Sequence, residues 1–245
     1  MFDEQKWYSE KIIREFFDSE SYEGKQVLEI GCAEGGGLKT FSDSGADCYG
    51  IEYSASRQKT ASQKNTSTNI KIIHGDVLDP DTYNREIPGQ FDYIILRDVV
   101  EHLDDKILLL QILFRLLKTN GRIFLSFPAK YSAYAGHQQV ITKKIGKLPY
   151  IYLLPDRLYK YYLQMLDQKP AVIENLLIIK STRLSVNYCR RIFSQAGFYL
   201  LSENYYIIRP GYEMRFGWRR RRNRLAIIPV LREFLTQGTI YVLTK

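Results

Sequence analysis

Four clusters of glycines, acids and histidines have types and spacing that could do chemistry. The first is Glu29-Ile30-Gly31-Cys32-Ala33-Glu34-Gly35-Gly36-Gly37, directly after the apolar run QVLEI. Glycines let a backbone approach a ligand closely and take positive φ. A helix starting just beyond them turns its free N–H groups toward that ligand. A dinucleotide turn would read G-x-G-x-x-G. Counted from Gly31, Ala33 stands where the glycine that admits a pyrophosphate should be. Glu34 adds a charge that would repel phosphates, so a dinucleotide is a poor fit. The second cluster is Glu52, closing CYGIE about 20 residues beyond the first glycine, a placement that suits ribose hydroxyls. The third is His74-Gly75-Asp76-Val77, whose acid can accept a hydrogen bond from an adenine amino group. The fourth, Arg97-Asp98-Val99-Val100-Glu101-His102-Leu103, gathers carboxylates beside an imidazole.

Each cluster follows a short apolar run. QVLEI (26–30), DCYGIE (47–52), IKIIHG (70–75), FDYIIL (91–96) and RIFLSF (122–127) read as strands. They are rich in Val, Ile and Leu, as strands buried on both faces should be. Helical patterns alternate with them: 38–45, 55–64 and 103–121, the last closed by Asn120-Gly121. An amphipathic helix over 3–18 precedes the first strand, within an N-terminal segment 1–23. Such alternation predicts a parallel sheet with helices on both faces. Ligands in these sheets bind beyond the carboxyl ends of the strands, near the reversal of strand order. Beyond Pro128 the pattern breaks. Segments 129–183 and 207–236 read as insertions, separated by a helix over 184–197 and a strand over 198–208, and 238–245 is a last strand.

The totals set bounds. The 245 residues suit a single domain over 1–245. The N-terminus lacks the apolar core of a signal peptide, and no stretch reaches the roughly 20 apolar residues that span a bilayer. The isolated Cys32, Cys48 and Cys189 show no metal-type spacing, so a soluble, cytoplasmic protein with reduced thiols is expected. Charge is uneven. Residues 1–180 hold 23 basic and 24 acidic side chains, while 181–245 hold 12 and 3, a net of +9. The excess is densest in FGWRRRRNR (216–224), which can attract phosphates or an anionic membrane surface.

Taken together, E-x-G-x-x-x-G after strand one, the acid after strand two, GD after strand three, FDYIIL…VVEHL at strand four and LLKTNGRIFLSFP at strand five resemble a class I S-adenosylmethionine-dependent methyltransferase. The resemblance covers about residues 24–128, and more loosely AGF (196–198) and the final strand. It implies a Rossmann-like seven-stranded, mostly parallel sheet, the last strand antiparallel, with an inserted lid after strand five. It also implies site roles. Glu29, Gly31, Cys32 and Gly35 would shape the pocket for the methionine part. Glu52 would hold the ribose hydroxyls with Tyr53 beside the adenine. Asp76 would face the adenine amino group, flanked by Val77. Arg97 and Val99 would border the sulfonium end.

An oxygen acceptor benefits from a general base, and histidine is the usual choice near neutral pH. His74 sits at a strand end beside the adenine acid and reads as structural. His102, with Glu101 before it, and His137, in SAYAGHQQ, are the catalytic candidates. Asp98, Glu101, His102 and His137 also resemble the divalent-metal sites of ubiquinone-pathway O-methyltransferases and small-RNA 2′-O-methyltransferases. Oxygen and imidazole ligands of that kind suit Mg²⁺ or Mn²⁺.

The tyrosine-rich insertion and basic tail suggest a large or anionic acceptor. The arrangement resembles bacterial methyltransferases of surface-glycan synthesis, implying O-methylation of a sugar or glycan precursor. An RNA 2′-O-methyltransferase or another small-molecule O-methyltransferase is the rival enzyme reading, and a non-catalytic S-adenosylmethionine-binding regulator or scaffold the rival of another class. Nucleic acid lacks a recognised module here. Peripheral contact with a membrane surface through the basic quarter is a further expectation.

Overall fold

A computed structural model of the chain describes residues 1–84 and 87–245. The strands are β1 (Gln26–Ile30), β2 (Asp47–Glu52), β3 (Ile70–His74), β4 (Phe91–Arg97), β5 (Leu117–Phe127), β6 (Tyr199–Ile208), β7 (Arg221–Arg222) and β8 (Gly238–Thr244). They form one sheet of order β3-β2-β1-β4-β5-β8-β6-β7. β1 to β5 pair in parallel, and β8 is antiparallel to both β5 and β6. The expected seven strands become eight because Arg221–Arg222 adds a short rung on β6.

The helices are α1 (Phe2–Tyr8), α2 (Arg14–Phe17), α3 (Gly36–Ser42), α4 (Ala55–Lys64), α5 (Pro80–Asn84), α6 (Lys106–Leu116), α7 (Asp156–Met165), α8 (Pro170–Thr182), α9 (Val186–Gln195), α10 (Gly211–Phe216) and α11 (Pro229–Leu235). A π-helical turn, Ser9–Ile13, joins α1 to α2, so the N-terminal stretch is nearly continuous helix.

Side chains alternate across the pleat and are buried on both faces. Leu28 and Ile30 of β1, Ile94 and Leu96 of β4, and Ile123 and Leu125 of β5 pack on one face, against α6 and α9. Val27, Ile95 and Phe124 pack on the other, against Tyr8, Ile12, Ile13 and Phe17 and against Leu38 and Phe41 of α3. The helix expected over 103–121 ends at Leu116, and Leu117 already pairs with Phe91. Asn120, with φ of 62°, lies inside β5 and is no helix stop.

The insertion after β5 builds its own apolar cluster from Ala135, Ile141, Tyr152, Tyr159, Leu163, Leu166, Ile173 and Leu176. It is therefore a small helical unit with its own core, in contact through α8 with the turn Val100–His102.

Candidate active site

A cavity of about 640 Å³ opens beyond the carboxyl ends of β1 to β4. Strand order reverses there, between β1 and β4. All four turns line it, and its size suits a small-molecule ligand.

Gly31 forms the closest approach. Its φ is +68°, and a Cβ there would lie 2.5 Å from Val99 Cγ2. Ala33 follows in the left-handed region at φ 48°. Its N–H donates to Glu52 Oε2 at 2.8 Å, while Ser54 N–H donates to Glu52 Oε1 at 2.9 Å. The Glu52 carboxylate is thus fixed by backbone on two sides, and lone pairs remain for a ligand.

Gln5, buried and lining the cavity, holds the turn from α1. Its Nε2 donates to Cys32 O at 2.8 Å, and its Oε1 accepts from Glu34 N and Gly36 N at 3.3 and 3.4 Å. Glu34 takes a different role from the phosphate repulsion expected of it. Its carboxylate accepts from Phe2 N and pairs with Lys64 at 2.6 Å, so it ties α1 and α4 to the turn and does not line the cavity.

Glu29, Cys32 and Gly35 lie behind the cavity wall. Cys32 packs against Gly50 and Gly35 against Asn65. Glu29 is buried, and its Oε2 has no hydrogen-bond partner among the described residues. Burial pushes the Glu29 carboxyl up to about 7, against the pull of Arg97. These three residues shape the wall from within.

Asp76 lines the cavity while its Oδ1 accepts from Leu78 N at 2.9 Å. Val77 is buried beside it, and Tyr53, 76% exposed, stands at the rim. His74 Nε2 lies 3.1 Å from Tyr53 O, a structural contact. Arg97 lines the cavity with its guanidinium 4.8 Å over the Tyr8 ring.

His102 ends a short 3₁₀ turn, Val100–His102, anchored by buried Val100, and it lines the cavity. His137 lines an adjoining pocket of about 230 Å³ with Ser132, Tyr134, Arg209 and Tyr212. The two imidazole centroids are 5.3 Å apart, so they stand between the two spaces. The loop around His137 is pinned from both sides. A Cβ on Gly136 would lie 2.3 Å from the Tyr152 ring, and Gln138 Nε2 donates to Ala133 O at 2.9 Å. His137 itself is held at φ 53°. Such strain persists only where surroundings over-determine it. Burial, then the Arg183 charge, lowers both imidazole pKa values, His137 to about 4. Both rings are neutral at pH 7, and His137 is a weak proton acceptor.

Glu101 does not line the cavity. It is 1% exposed, with Arg183 Nη1 4.0 Å from Oε1 and no hydrogen bond to either oxygen among the described residues. Burial and Asp98 push its carboxyl up to about 8, with Arg183 opposing. Asp98 sits in the left-handed region, paired with Arg209 across 111 positions. Desolvation raises the Asp98 carboxyl, but Arg209 and Arg97 outweigh it and hold it below the usual range. Asp98 is turned to Arg209, while Glu101 Oε1 lies 3.9 Å from His102 Nε2 and 4.0 Å from Arg183 Nη1, hydrogen-bonded to neither, so the candidate Asp98–Glu101–His102–His137 ligand set does not form. No group of three such side chains is placed to hold a metal ion among the described residues.

Gln5, Arg183 and Arg209 were not foreseen from sequence. Gln5 could have been found as a polar residue in register with Tyr8 and Ile12 on the apolar stripe. The two arginines carry no local signal.

A family model described as a methyltransferase domain matches residues 4–203. The chain is 30% identical over 105 residues to a ubiquinone biosynthesis O-methyltransferase of Pseudomonas aeruginosa, covering 42% of this chain and 44% of that protein. It is 27% identical over 121 residues to phosphoethanolamine N-methyltransferase 2 of Caenorhabditis elegans, covering 49% and 27%. The chain spans less than half the length of these curated relatives. Among solved structures, an S-adenosylmethionine dependent methyltransferase from Mesorhizobium loti aligns with TM-score 0.60 at 14% identity, over 97% of this chain and 98% of that one. That likeness is one of fold.

Proposed function

The chain belongs to the methyltransferase-domain family, and from that premise we propose that it methylates a hydroxyl of a sugar in a glycan precursor, using S-adenosylmethionine. Bound in the larger cavity, that cofactor supplies an activated methyl on a cationic sulfonium. The wall suits it. With Asp98 taken up by Arg209, Glu52, Asp76 and Asp104 still outnumber Arg57 and Arg97 around the cavity, which favours a cation without phosphate. Glu52 accepts from the ribose hydroxyls, Asp76 from the adenine amino group, and Tyr53 and Val77 flank the base. Gly31 and Val99 leave room for the methionine end.

The acceptor occupies the pocket lined by Tyr134, Arg209 and Tyr212. Flat aromatic faces there suit a sugar ring. His102, neutral and between the two spaces, takes the hydroxyl proton. His137, too weak a base for that role, positions the hydroxyl. The pair of neutral imidazoles between two pockets carries this reading. The Pseudomonas relative is by name an O-methyltransferase, which supports oxygen as the nucleophile.

The test is methyl transfer from labelled S-adenosylmethionine across nucleotide sugars, glycans and RNA, beside calorimetry of cofactor binding. Transfer to a sugar hydroxyl is expected. Transfer to RNA alone would replace the acceptor, and absence of cofactor binding would sink the whole reading.

A further inference from the structure

The segment from α10 to α11 leaves both charge and apolar surface facing solvent. Arg215 and Arg220 are used inside the protein, pairing with Glu4 and Glu15 at 2.9 Å. Arg219, Arg221 and Arg224 are exposed and pair with no carboxylate among the described residues. Beside them Phe216 and Trp218, each 57% exposed, hold their rings 5.4 Å apart. Just beyond, Ile227 is 85% and Val230 64% exposed. Exposed apolar groups of this size next to unpaired cations mark an interaction surface.

We propose that this segment docks the protein on an anionic lipid bilayer. Arginine forks match headgroup phosphates, and each basic residue near such a surface adds to binding. Tryptophan lies at the headgroup level, and branched aliphatics reach the acyl boundary. The charge asymmetry orients the molecule: 12 basic against 3 acidic residues in 181–245, with 23 against 24 in the remainder. Arginines on β7 at the sheet edge would also discourage edge-to-edge pairing. That role does not account for Trp218, Ile227 or Val230. Phe216 and Trp218 beside the arginines would also stack the bases of single-stranded RNA, but exposed Ile227 and Val230 next to them have no use there, whereas a bilayer takes them into its acyl boundary. The inference is independent of which acceptor is methylated.

Sedimentation of the full chain with phosphatidylcholine vesicles, with and without phosphatidylglycerol, tests it. Binding is expected only with phosphatidylglycerol, weakening as salt rises. The variant carrying Arg219→Glu, Arg221→Glu and Arg224→Glu should lose at least about tenfold in partitioning. Ile227→Asp should lose a few-fold. Tryptophan emission should move to shorter wavelength on binding, and Trp218→Phe, which leaves Trp7, should abolish the move. Cofactor affinity should stay constant in all three variants, so failure here is separable from failure of the methyltransferase reading. Equal binding to neutral vesicles, no binding to anionic ones, or undiminished binding by the charge-reversed variant would overturn the proposal. So would salt-sensitive binding of single-stranded RNA without vesicle binding.

Discussion

The turns after β1 to β4 and the two insertions build opposite halves of the site by opposite means. In the first half, backbone N–H groups of the turns place the carboxylates. Ala33 N and Ser54 N hold Glu52, and Leu78 N holds Asp76. In the second half, long-range side-chain pairs do it. Arg209 reaches Asp98 across 111 residues, and Arg183 faces Glu101. Backbone scaffolding tolerates little change at the turn but leaves its carboxylates free for a ligand. The Asp98 carboxylate is taken up by Arg209, Glu101 is buried without a hydrogen bond among the described residues, and the neutral histidines stand between the two pockets. The half built by the strand turns is therefore a fixed mould, and the half built by the insertions a set of docked pieces.

Substitutions can break this contrast. His102→Ala should lower turnover by about 10²–10⁴-fold while calorimetric affinity for S-adenosylmethionine holds. Equal losses in both would place His102 in the mould. Because its pKa is lowered, His102 stays neutral across the neutral range, so kcat/KM should fall only on acidification below about 6.5.

Gly31→Ala should cost about 2–4 kcal/mol between cofactor binding and stability, from the left-handed backbone and the 2.5 Å approach to Val99. Adding Val99→Ala should restore part of that affinity, since it removes the clash but not the backbone cost. If the double variant recovers nothing, the turn is not moulded by that contact.

Arg209→Ala should destabilise by about 1–3 kcal/mol at neutral pH, read by urea unfolding, by leaving Asp98 unpaired in a partly solvated site. Asp98 is held below its ordinary pKa, so its pairing contributes above that value and is lost as pH falls. The gap between parent and variant should accordingly close below about pH 4. A gap that persists there would mean that packing, not charge, docks this half.

A further effect is one of pH slope. Glu29 rises from 4.5 to about 7 in the fold, so it binds its proton more tightly folded than unfolded. Its contribution is whole below 4.5 and is lost as pH climbs through about 7. Glu29→Gln should flatten thermal stability between those values by about 1–3 kcal/mol.

The same contrast decided what could be read in advance. Period and turn chemistry revealed β1 to β4 and the acids behind each, because strand, turn and acid are neighbours in sequence. Even so, Glu34 was misjudged, since its partners Phe2 and Lys64 lie about 30 positions away on either side. The start of β5 was missed because Leu116-Leu117 continues an apolar run across a change of structure, and periodicity does not mark such a switch. Arg183 and Arg209 look like ordinary solvated charges until folding brings them to Glu101 and Asp98.

The position of β8 has a consequence for how the molecule is made. This strand, which follows β7 in sequence, lies inside the sheet, between β5 and β6, pairing antiparallel with both. Until it emerges from the ribosome, β6 and β7 have no link through the sheet to β5. Vectorial synthesis thus delivers the cofactor half first and joins the far edge with Gly238–Thr244 as the final stitch. A nascent chain halted before that stitch would leave two open strand edges, a target for chaperones and a seed for aggregation.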